Sequence, residues 1–423
     1  MKVLWLSPNE GLLKHKSSNK NYFGGWVESL QSLVESNKEI DLAICYLSEK
    51  ETKTEVYNNT NYYSIKKTDT SNWAKLKTYY GGYKKINESN YVIDLLKIIE
   101  DYQPDIIHLF GVETPLATII NHTNVPIVTH IQGLLIPCNN AFFPSGFNEF
   151  SFLFPFSIRE WVLRNGYIYA NKSMEVRAKF EKKLLKNCKY FMGRTHWDYM
   201  LSHLFSNNSE YFLVNEVLRN TFYKNKGKWN KEYNTTSNTF VIVSTISDTI
   251  YKGLDVILKT AKLLKESGFH NFKWKVVGIN SQANIVLFFE KKLKIKSEDV
   301  NIEYVGYKNE EELCNIELAS NVFVHPSYID NSPNSVCEAQ LLGLPVISTN
   351  VGGISSLIEH KKTGILVPSN SPYEIVFEIK KMMDFIFAKK ISQNGVSIAV
   401  KRHDKDDIYN ALISTYKKII NSN

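Results

Sequence analysis

Short apolar runs, each followed by a polar or amphipathic stretch, recur through both halves of this chain. In the first half these runs are KVLWLSP, DLAICYL, PDIIHLFG, PIVTHIQG and CKYFMGR. In the second half they are TFVIVSTIS, FKWKVVGI, VNIEYVGY, NVFVHPSY, LPVISTNVGG and GILVPS, with GLDVILKTAKLLKES and NEEELCNIELA as helical stretches between them. Strands that alternate with helices in this way form parallel sheets covered by helices. The pattern predicts an α/β fold with two Rossmann-like, doubly wound domains.

The chain is long enough for two such domains, because 423 residues exceed what one hydrophobic core normally supports. The predicted linker is residues 223–239, which are polar, basic and aperiodic. It divides the chain into an N-terminal domain, 1–222, and a C-terminal domain, 240–403. Residues 48–90 are rich in Tyr, Asn, Lys and Thr, and the segment is longer than a connection between a strand and a helix needs to be. We expect either a mobile acceptor loop or a plain surface excursion there.

The composition is that of a folded globular chain, with 43% hydrophobic and 22% charged residues. No apolar run approaches the roughly 20 residues of a membrane-spanning helix, and the apolar stretch 3–6 is too short for a signal-peptide core. The five cysteines are scattered and form no C-x-x-C pair, which argues against a disulfide framework and a zinc site. We therefore expect a cytoplasmic protein. Its net charge of +8 favours phosphate-bearing small molecules, anionic membranes or nucleic acid, without deciding among them.

The stretch VHPSYIDNSPNSVCEAQLLGLPVISTNVGG, residues 324–353, carries two acidic residues in a strand–loop–helix setting. The loop carries Asp330, and a helix that starts near Asn334 carries Glu338. Seven residues separate the two acids. The arrangement strongly resembles the carboxylate-x7-carboxylate motif of glycosyltransferase family 4, in which both acids are usually Glu. The resemblance implies a GT-B fold, in which two domains face each other across a cleft and the C-terminal domain binds a nucleoside-diphosphate sugar.

The resemblance also implies how this stretch binds the donor. Free backbone N–H groups at the helix start, near Asn334, Ser335 and Val336, hold the phosphate oxygens without a metal ion. Glu338 accepts hydrogen bonds from the ribose hydroxyls, and Asp330 accepts from the transferred sugar. The competing interpretation makes Asp330 an ordinary turn residue and Glu338 an N-terminal helix charge.

The stretch SDTIYKGLDVILKTA, residues 247–261, resembles the lysine–glycine turn after the first strand of the donor domain in the same family. Lys252 is predicted at the junction of that strand and a helix, where its ammonium can neutralise the departing diphosphate. The alternative is a solvated surface lysine. Many relatives carry an arginine at the position of Ser247. We expect Arg194 or Arg219 to replace that arginine, or the donor to bind more weakly.

Four residues of the N-terminal domain are candidates because they follow or end predicted strands. Gly24 and Gly25, on the loop after the first strand, let the backbone approach a phosphate or sugar, although such pairs also occur in ordinary flexible turns. His108 and His130 end two strands, at the sheet edge where open α/β folds bind ligands. The family resemblance implies that His130 reaches the donor sugar or the acceptor. A purely structural role is the alternative for each histidine.

Three further residues complete the predicted site. Arg194, in MGRTHWDYM, is placed either to meet an acidic or phosphorylated group or to tie the linker down. By the family resemblance, backbone groups around Gly306 and Tyr307 contact the base of the nucleotide. The basic stretch 172–189 is either a contact with anionic lipid or a solvated helix face.

The resemblance therefore predicts a retaining, metal-independent glycosyltransferase that needs no cofactor besides its nucleotide-sugar co-substrate, with Lys252, Asp330 and His130 as catalytic residues. The expected acceptor is a glycan or lipid-linked saccharide in bacterial polysaccharide synthesis. No nucleic acid partner is expected, and peripheral contact with the inner leaflet stays open. The last helix, 404–423, is expected to cross back to the N-terminal domain, with its leading acids as N-terminal charges and not metal ligands. Two alternatives remain: a sugar-nucleotide 2-epimerase of the same fold, and a catalytically silent binding scaffold.

Overall fold

The computed structural model describes residues 1–16, 25–50, 52–67, 88–152, 166–233 and 239–423. Within these ranges the chain forms two sheets, one in each half of the sequence. Helices pack on both faces of strands that are apolar along most of their length. Each strand predicted from an apolar run is present, so the predicted α/β fold is confirmed.

The N-terminal sheet has eight strands among the described residues. They are β1 (Lys2–Leu6), β2 (Asp41–Ser48), β3 (Lys53–Tyr57), β4 (Thr60–Lys66), β5 (Ile106–Phe110), β6 (Ile127–His130), β7 (Tyr190–Gly193) and β8 (Glu210–Leu213). Their spatial order is β3-β4-β2-β1-β5-β6-β7-β8, and neighbouring strands are parallel except in the β3–β4 pair. The helices of this half are α1 (Trp26–Glu35), α2 (Glu88–Tyr102), α3 (Leu135–Asn140), α4 (Tyr167–Leu185), α5 (His196–Phe205) and α6 (Asn220–Lys224).

The C-terminal sheet has six strands, all parallel to their neighbours. They are β9 (Phe240–Thr245), β10 (Phe272–Val277), β11 (Ile302–Gly306), β12 (Val322–His325), β13 (Val346–Thr349) and β14 (Ile365–Val367). Their order is β11-β10-β9-β12-β13-β14. The helices that follow are α7 (Leu254–Glu266), α8 (Asn284–Leu293), α9 (Glu310–Leu318), α10 (Asn334–Leu342), α11 (Pro372–Lys381), α12 (Phe385–Arg402) and α13 (Lys405–Asn421).

Part of segment 48–90 is sheet and not the expected loop. Strands β3 and β4 form an antiparallel pair, and β4 continues the sheet by pairing in parallel with β2. Tyr62 and Tyr63 on β4 are buried, one on each face of the sheet. Aromatic residues favour such a pleated, half-buried surface, so these two tyrosines of the tyrosine-rich segment are strand residues. Residues 68–87 lie outside the described ranges. Strand β8 was also not predicted.

The C-terminal end of the chain returns to the N-terminal sheet. Helix α13 buries Ile408, Leu412, Tyr416 and Ile419 in the same hydrophobic cluster as Trp5 of β1. The Asp404 carboxylate accepts hydrogen bonds from the backbone of residues 406 and 407, which caps the helix. The helix therefore joins the two halves of the molecule through its apolar face.

The predicted linker is attached to the C-terminal domain in the part that the structure describes. Trp229 is 1% exposed and donates from its indole to the Ser320 carbonyl at 2.7 Å. The backbone N–H groups of Gly227 and Trp229 bond to the carbonyls of Leu341 and Leu342. The polar composition predicted a linker, but the buried side chain of Trp229 and the backbone bonds beside it hold this segment against α10. Residues 234–238 lie outside the described ranges.

Helix α4 contains most of the basic stretch 172–189. Lys172 and Lys179 both pair with Glu175, while Glu181 is buried and accepts from the N–H groups of Leu135 and Ile136. One face of the helix is thus fixed on the domain and the other carries its charges outward. No helix within the described ranges is both long and apolar enough to cross a bilayer.

Candidate active site

A cleft of about 330 Å³ lies at the carboxyl ends of β9, β10 and β12. Of the described residues that line it, three are cationic, Arg219, Lys252 and Lys308, and one is a carboxylate, Asp330. Open α/β sheets bind ligands at this edge, where the strands end and helices begin. The excess of positive charge suits an anionic ligand.

Lys252 and Asp330 come from different loops and form an ion pair at the cleft. Lys252 ends a one-turn 3-10 helix after β9, and its Nζ lies 2.7 Å from Asp330 Oδ2. His325 Nε2, at the end of β12, lies 3.0 Å from the same oxygen. Burial alone would raise the pKa of Asp330, but the Lys252 ammonium and the His325 ring outweigh it and hold that pKa well below its usual range. The carboxylate is therefore ionised at neutral pH. His325 was not among the predicted site residues.

Gly253 shows why a glycine follows Lys252. Its φ is +81°, and a Cβ at this position would lie 2.2 Å from the carbonyl oxygen of Pro326. A left-handed backbone is costly for other residues, and no side chain fits so close to a main-chain oxygen. The turn that carries Lys252 therefore packs directly on the end of β12, which is what brings Lys252 to the loop of Asp330.

Arg219 and Glu338 form a bidentate pair across the domain junction. Arg219 Nε lies 2.8 Å from Glu338 Oε1 and its Nη2 lies 2.6 Å from Oε2. Glu338 is 1% exposed and does not line the cleft, whereas Arg219 does. The predicted contact between Glu338 and ribose is thus not presented by this structure, because Arg219 covers both carboxylate oxygens. Of the two arginines expected to replace the missing one at Ser247, Arg219 is the one beside Ser247 in the cleft lining.

The start of α10 offers fewer free donors than the sequence suggested. The N–H of Val336 already bonds to the Pro333 carbonyl at 3.0 Å, and the Val336 side chain is fully buried. The N–H groups of Asn334 and Ser335 have no acceptor among the described residues, and Ser335 lines the cleft. The helix start therefore keeps two free backbone donors at its positive end, an arrangement that suits an anion.

The opposite wall of the cleft contains the residues predicted to meet a base. Tyr307 lines the cleft and is 67% exposed. Gly306 precedes it with φ +69° and open space around its Cβ position. Gly278, which was not predicted, also lines the cleft; it has φ +99°, and a Cβ there would lie 2.2 Å from the Ile246 carbonyl oxygen. The wall is thus shaped by backbone at a strand edge. The N–H of Gly306 already donates to the Ile279 carbonyl and its carbonyl accepts from Gly278, so a backbone contact with a base stays a prediction.

Arg194 does not face the cleft as expected. It is 6% exposed, its Nη2 donates to the Gln132 carbonyl at 2.9 Å, and its Nε lies 4.0 Å from Glu216 Oε2. Its guanidinium also lies over the Trp26 ring. Its position therefore fits the second of the two predicted roles, that of a structural tie. Arg194 connects the end of β7 to the loop after β6 and to the segment that leads out of the domain.

His130 and His108 are buried and joined to each other. His108 Nε2 lies 3.1 Å from His130 Nδ1, and both residues are 0% exposed. Burial lowers the pKa of both rings, of His108 to about 3 and of His130 well below its ordinary value, so both are neutral. His130 ends β6 at the ligand-binding edge of the N-terminal sheet. A neutral ring whose pKa is lowered this far is a weak base, so it suits hydrogen bonding better than proton abstraction.

Gly25 caps the start of α1 with φ −95°, an extended conformation open to other residues. No atom of the described residues lies within 4 Å of its Cβ position. The backbone at Gly25 therefore does not require glycine, although the open space allows close approach. Gly24 lies outside the described residues.

A hydrogen-bonded clamp that the sequence did not reveal joins the domains beside Asp330. Asn331 Nδ2 donates to Asp198 Oδ1 at 2.8 Å, and its Oδ1 accepts from Thr195 Oγ1 at 2.9 Å. Thr195 and Asp198 also form the capping box of α5. The loop of Asp330 is thus held from the N-terminal domain by Thr195 and Asp198 of the RTHWD stretch.

Among the described residues, one buried cluster has the spacing of metal ligands: Glu216, Cys337 and His403. Glu216 Oε1 accepts from Ser332 and Cys337, and the Arg194 guanidinium lies near its other oxygen. Burial would raise the pKa of Glu216, but Arg194 and then His403 outweigh it and lower that pKa. Because the Glu216 carboxylate already has a cationic partner in Arg194, the cluster forms a polar junction between the domains.

Two parallel-sheet domains with a polar cleft at the strand ends define the GT-B class of fold, and comparison with solved structures confirms it. Sucrose-phosphate synthase from Thermosynechococcus elongatus aligns with a TM-score of 0.71 at 13% identity and covers 100% of both chains. HepE from Anabaena, solved in complex with UDP-glucose, aligns with a TM-score of 0.64 at 13% identity over 99% of this chain and 100% of that one. Identity this low shows the fold alone.

The C-terminal domain is also similar in sequence to known proteins. Residues 224–396 match the family "Glycosyl transferases group 1". The putative colanic acid biosynthesis glycosyltransferase WcaL of Escherichia coli K12 is 32% identical over 139 residues, 30% of this chain and 32% of that protein. A UDP-Gal:α-D-GlcNAc-diphosphoundecaprenol α-1,3-galactosyltransferase of Escherichia coli is 33% identical over 113 residues, 25% of this chain and 28% of that protein. The matches to these two relatives span about a third of the relatives' length. The family match, residues 224–396, contains Lys252, Asp330 and Glu338.

Proposed function

We propose that this protein is a retaining glycosyltransferase of family 4 that transfers a sugar from a nucleoside-diphosphate sugar to a saccharide acceptor in bacterial polysaccharide assembly. The observation that carries the proposal is the convergence of Lys252, Arg219 and the free N–H group of Ser335 on one cleft that also holds the ionised Asp330. The family match of the same domain and its glycosyltransferase relatives support it.

The diphosphate would bind where positive charge and free donors meet. Lys252 and the start of α10 stabilise the charge that develops on the leaving phosphate. The cleft supplies its own cations and, within the described part of the chain, one carboxylate that is already paired, so the donor needs no metal ion bridging it to the protein. Asp330, fixed by Lys252 and His325, orients the transferred sugar. The acceptor would lie on the N-terminal side of the cleft and lose its proton to the departing phosphate on the same face, which retains the configuration.

UDP is the first nucleotide to test, because relatives by sequence and by fold are named with UDP-sugars. A lipid-linked saccharide acceptor is proposed on the same ground, since the galactosyltransferase relative acts on a diphosphoundecaprenol-linked sugar. Peripheral contact with a membrane through the basic face of α4 would bring the cleft to such an acceptor and stays a prediction.

The experiment is a thermal-shift titration with UDP, GDP, ADP and their sugars, followed by product analysis. Lys252→Met is compared with Lys259→Met, because Lys259 forms an equivalent ion pair outside the cleft: its Nζ is 2.8 Å from Asp255 Oδ2 at 25% exposure, against 2.7 Å and 24% for Lys252. One nucleotide series should stabilise wild type and Lys259→Met but not Lys252→Met.

Product analysis separates the proposal from its rivals. With the stabilising donor and a short-chain prenyl diphosphate-linked GlcNAc as acceptor, the anomeric proton of the product should show the configuration of the donor. Inversion would refute the retaining route. Release of nucleoside diphosphate with an epimerised free sugar would identify an epimerase, and binding without turnover on any acceptor would identify a binding scaffold.

A further inference from the structure

Four buried ring groups form a continuous hydrogen-bonded row through the N-terminal domain. Trp5 Nε1 lies 3.2 Å from the hydroxyl of Tyr416, that hydroxyl lies 2.5 Å from His108 Nδ1, and His108 Nε2 lies 3.1 Å from His130 Nδ1. All four residues are 0% exposed. The row starts at β1, passes through the C-terminal helix α13 and β5, and finishes at the end of β6.

One direction of the hydrogen bonds in this row is favoured, because the reverse direction would leave the buried hydroxyl hydrogen of Tyr416 without an acceptor among the described residues. An indole N–H can only donate, so the Tyr416 oxygen accepts from Trp5. Tyr416 then has its single hydrogen for His108 Nδ1, which is the remaining partner of that hydroxyl among the described residues. The neutral His108 ring carries one proton, which is therefore on Nε2 and is donated to His130 Nδ1.

The row ends in a donor without an acceptor. Because His130 Nδ1 accepts, the one proton of this neutral ring is on Nε2. His130 Nε2 is fully buried and has no hydrogen-bond partner in the part of the chain that the structure describes. An unmade buried hydrogen bond is a cost that folded proteins rarely keep without a use. The ring packs edge-on against Trp26 at 5.0 Å, beside Arg194, at the ligand-binding edge of the sheet.

We propose that Trp5, Tyr416 and His108 are positioning residues that hold His130 as a fixed Nε2–H donor to an oxygen of the bound sugar substrate. The inference rests on the proposed function for the identity of that ligand, but the direction of the row does not depend on it. The oxygen belongs either to the transferred sugar or to the saccharide acceptor. Through Tyr416, the C-terminal helix α13 thus determines which ring nitrogen of His130 carries the proton.

The first test measures the tautomers of the ligand-free protein by long-range ¹H–¹⁵N NMR of ¹⁵N-histidine-labelled protein. The signal that disappears in His130→Gln is assigned to His130. We expect its Nδ1 unprotonated and its Nε2 protonated, and the same for His108. A protonated His130 Nδ1 would overturn the proposal. This outcome is independent of whether the protein transfers sugar, so failure here differs from failure of the proposed function.

The second test breaks the row without emptying the core. Tyr416→Phe removes the hydroxyl and frees the His108 tautomer. Tyr409→Phe is the matched control, because Tyr409 lies on the same helix, is 7% exposed and has an unpartnered hydroxyl. Trp5→Phe gives a second break in case Tyr416→Phe folds poorly.

Breaking the row should mix or reverse the His130 tautomers and raise one KM about fivefold to tenfold, the usual effect of losing one neutral hydrogen bond. Donor hydrolysis and transfer from the stabilising nucleotide sugar give the two KM values. A raised KM for the donor means that the oxygen belongs to the transferred sugar, and a raised KM for the acceptor means that it belongs to the saccharide acceptor. Unchanged tautomers and KM values in both broken variants, equal to Tyr409→Phe, would refute the relay.

Discussion

Replacing Gly253 by alanine should damage the cleft more than the fold around it, and Gly268 provides a matched control. Both glycines have φ +81° and flank the same helix, α7. A Cβ at Gly268 meets nothing within 4 Å, whereas one at Gly253 lies 2.2 Å from the Pro326 carbonyl oxygen. Gly268→Ala therefore carries only the left-handed strain of about 1–2 kcal/mol. Gly253→Ala carries the same strain and a backbone collision.

The collision must be relieved by separating two loops of the cleft. Ordinary contact needs 3.4 Å, so the Lys252 turn and the end of β12 must move apart by about 1.2 Å. Overpacking of this kind adds about 1–3 kcal/mol. Denaturant unfolding should therefore show Gly253→Ala less stable than Gly268→Ala by that amount, and the displaced Lys252 should weaken binding of the stabilising nucleotide at least tenfold. Stabilities within about 0.5 kcal/mol of each other, with equal nucleotide affinity, would refute the reasoning.

Three further predictions concern the charged and polar contacts of the cleft. Lys252→Met should lower kcat about 10²–10³-fold, the effect of losing one stabilising group in a transition state. In the wild type, the pKa of Asp330 is held below its ordinary value near 4. The Asp330 charge, and the stability that this charge contributes, are therefore fully present above that ordinary pKa and are lost only in stronger acid. In Lys252→Met the pKa of Asp330 rises, so the acid limb of the pH–rate profile should shift to higher pH, and superimposable wild-type and variant profiles would contradict this. Glu338→Gln leaves Arg219, which is partly exposed at the cleft, without its carboxylate and should destabilise by about 1–3 kcal/mol in denaturant unfolding; a loss below about 0.5 kcal/mol would mean that the pair is not formed in solution. Asn331→Leu removes the clamp between the domains and leaves buried partners unpaired, so unfolding should show a loss of about 1–3 kcal/mol together with weaker donor binding, and wild-type values for both would show that the clamp does not hold the loop of Asp330.

Sequence reasoning succeeded where the signal was local. The strands β1, β2, β5, β6, β7 and β9 to β14 follow from apolar runs. The lysine–glycine turn and the acid-bearing loop were singled out by their resemblance to family motifs, and they lie after β9 and β12. The edge pair β3–β4 was missed because its tyrosine-rich, polar composition is typical of a loop. Only pairing with β2 in the folded sheet makes it strand. Trp229 was missed for the same reason, since only the surface of α10 makes a polar segment part of the C-terminal core.

The sequence by itself determined the two α/β halves and the chemical types in the cleft, because strand periodicity, glycine turns and helix starts are set by neighbours along the chain. Only the tertiary structure decided that Arg219 covers Glu338, 119 residues away, that Arg194 is buried, and that Tyr416 meets His108 across 308 residues. Such contacts depend on the order of the strands and on the return of the last helix. Local periodicity does not encode either, so the partners of each charged and polar group, and with them its chemistry, are fixed only when the chain is folded.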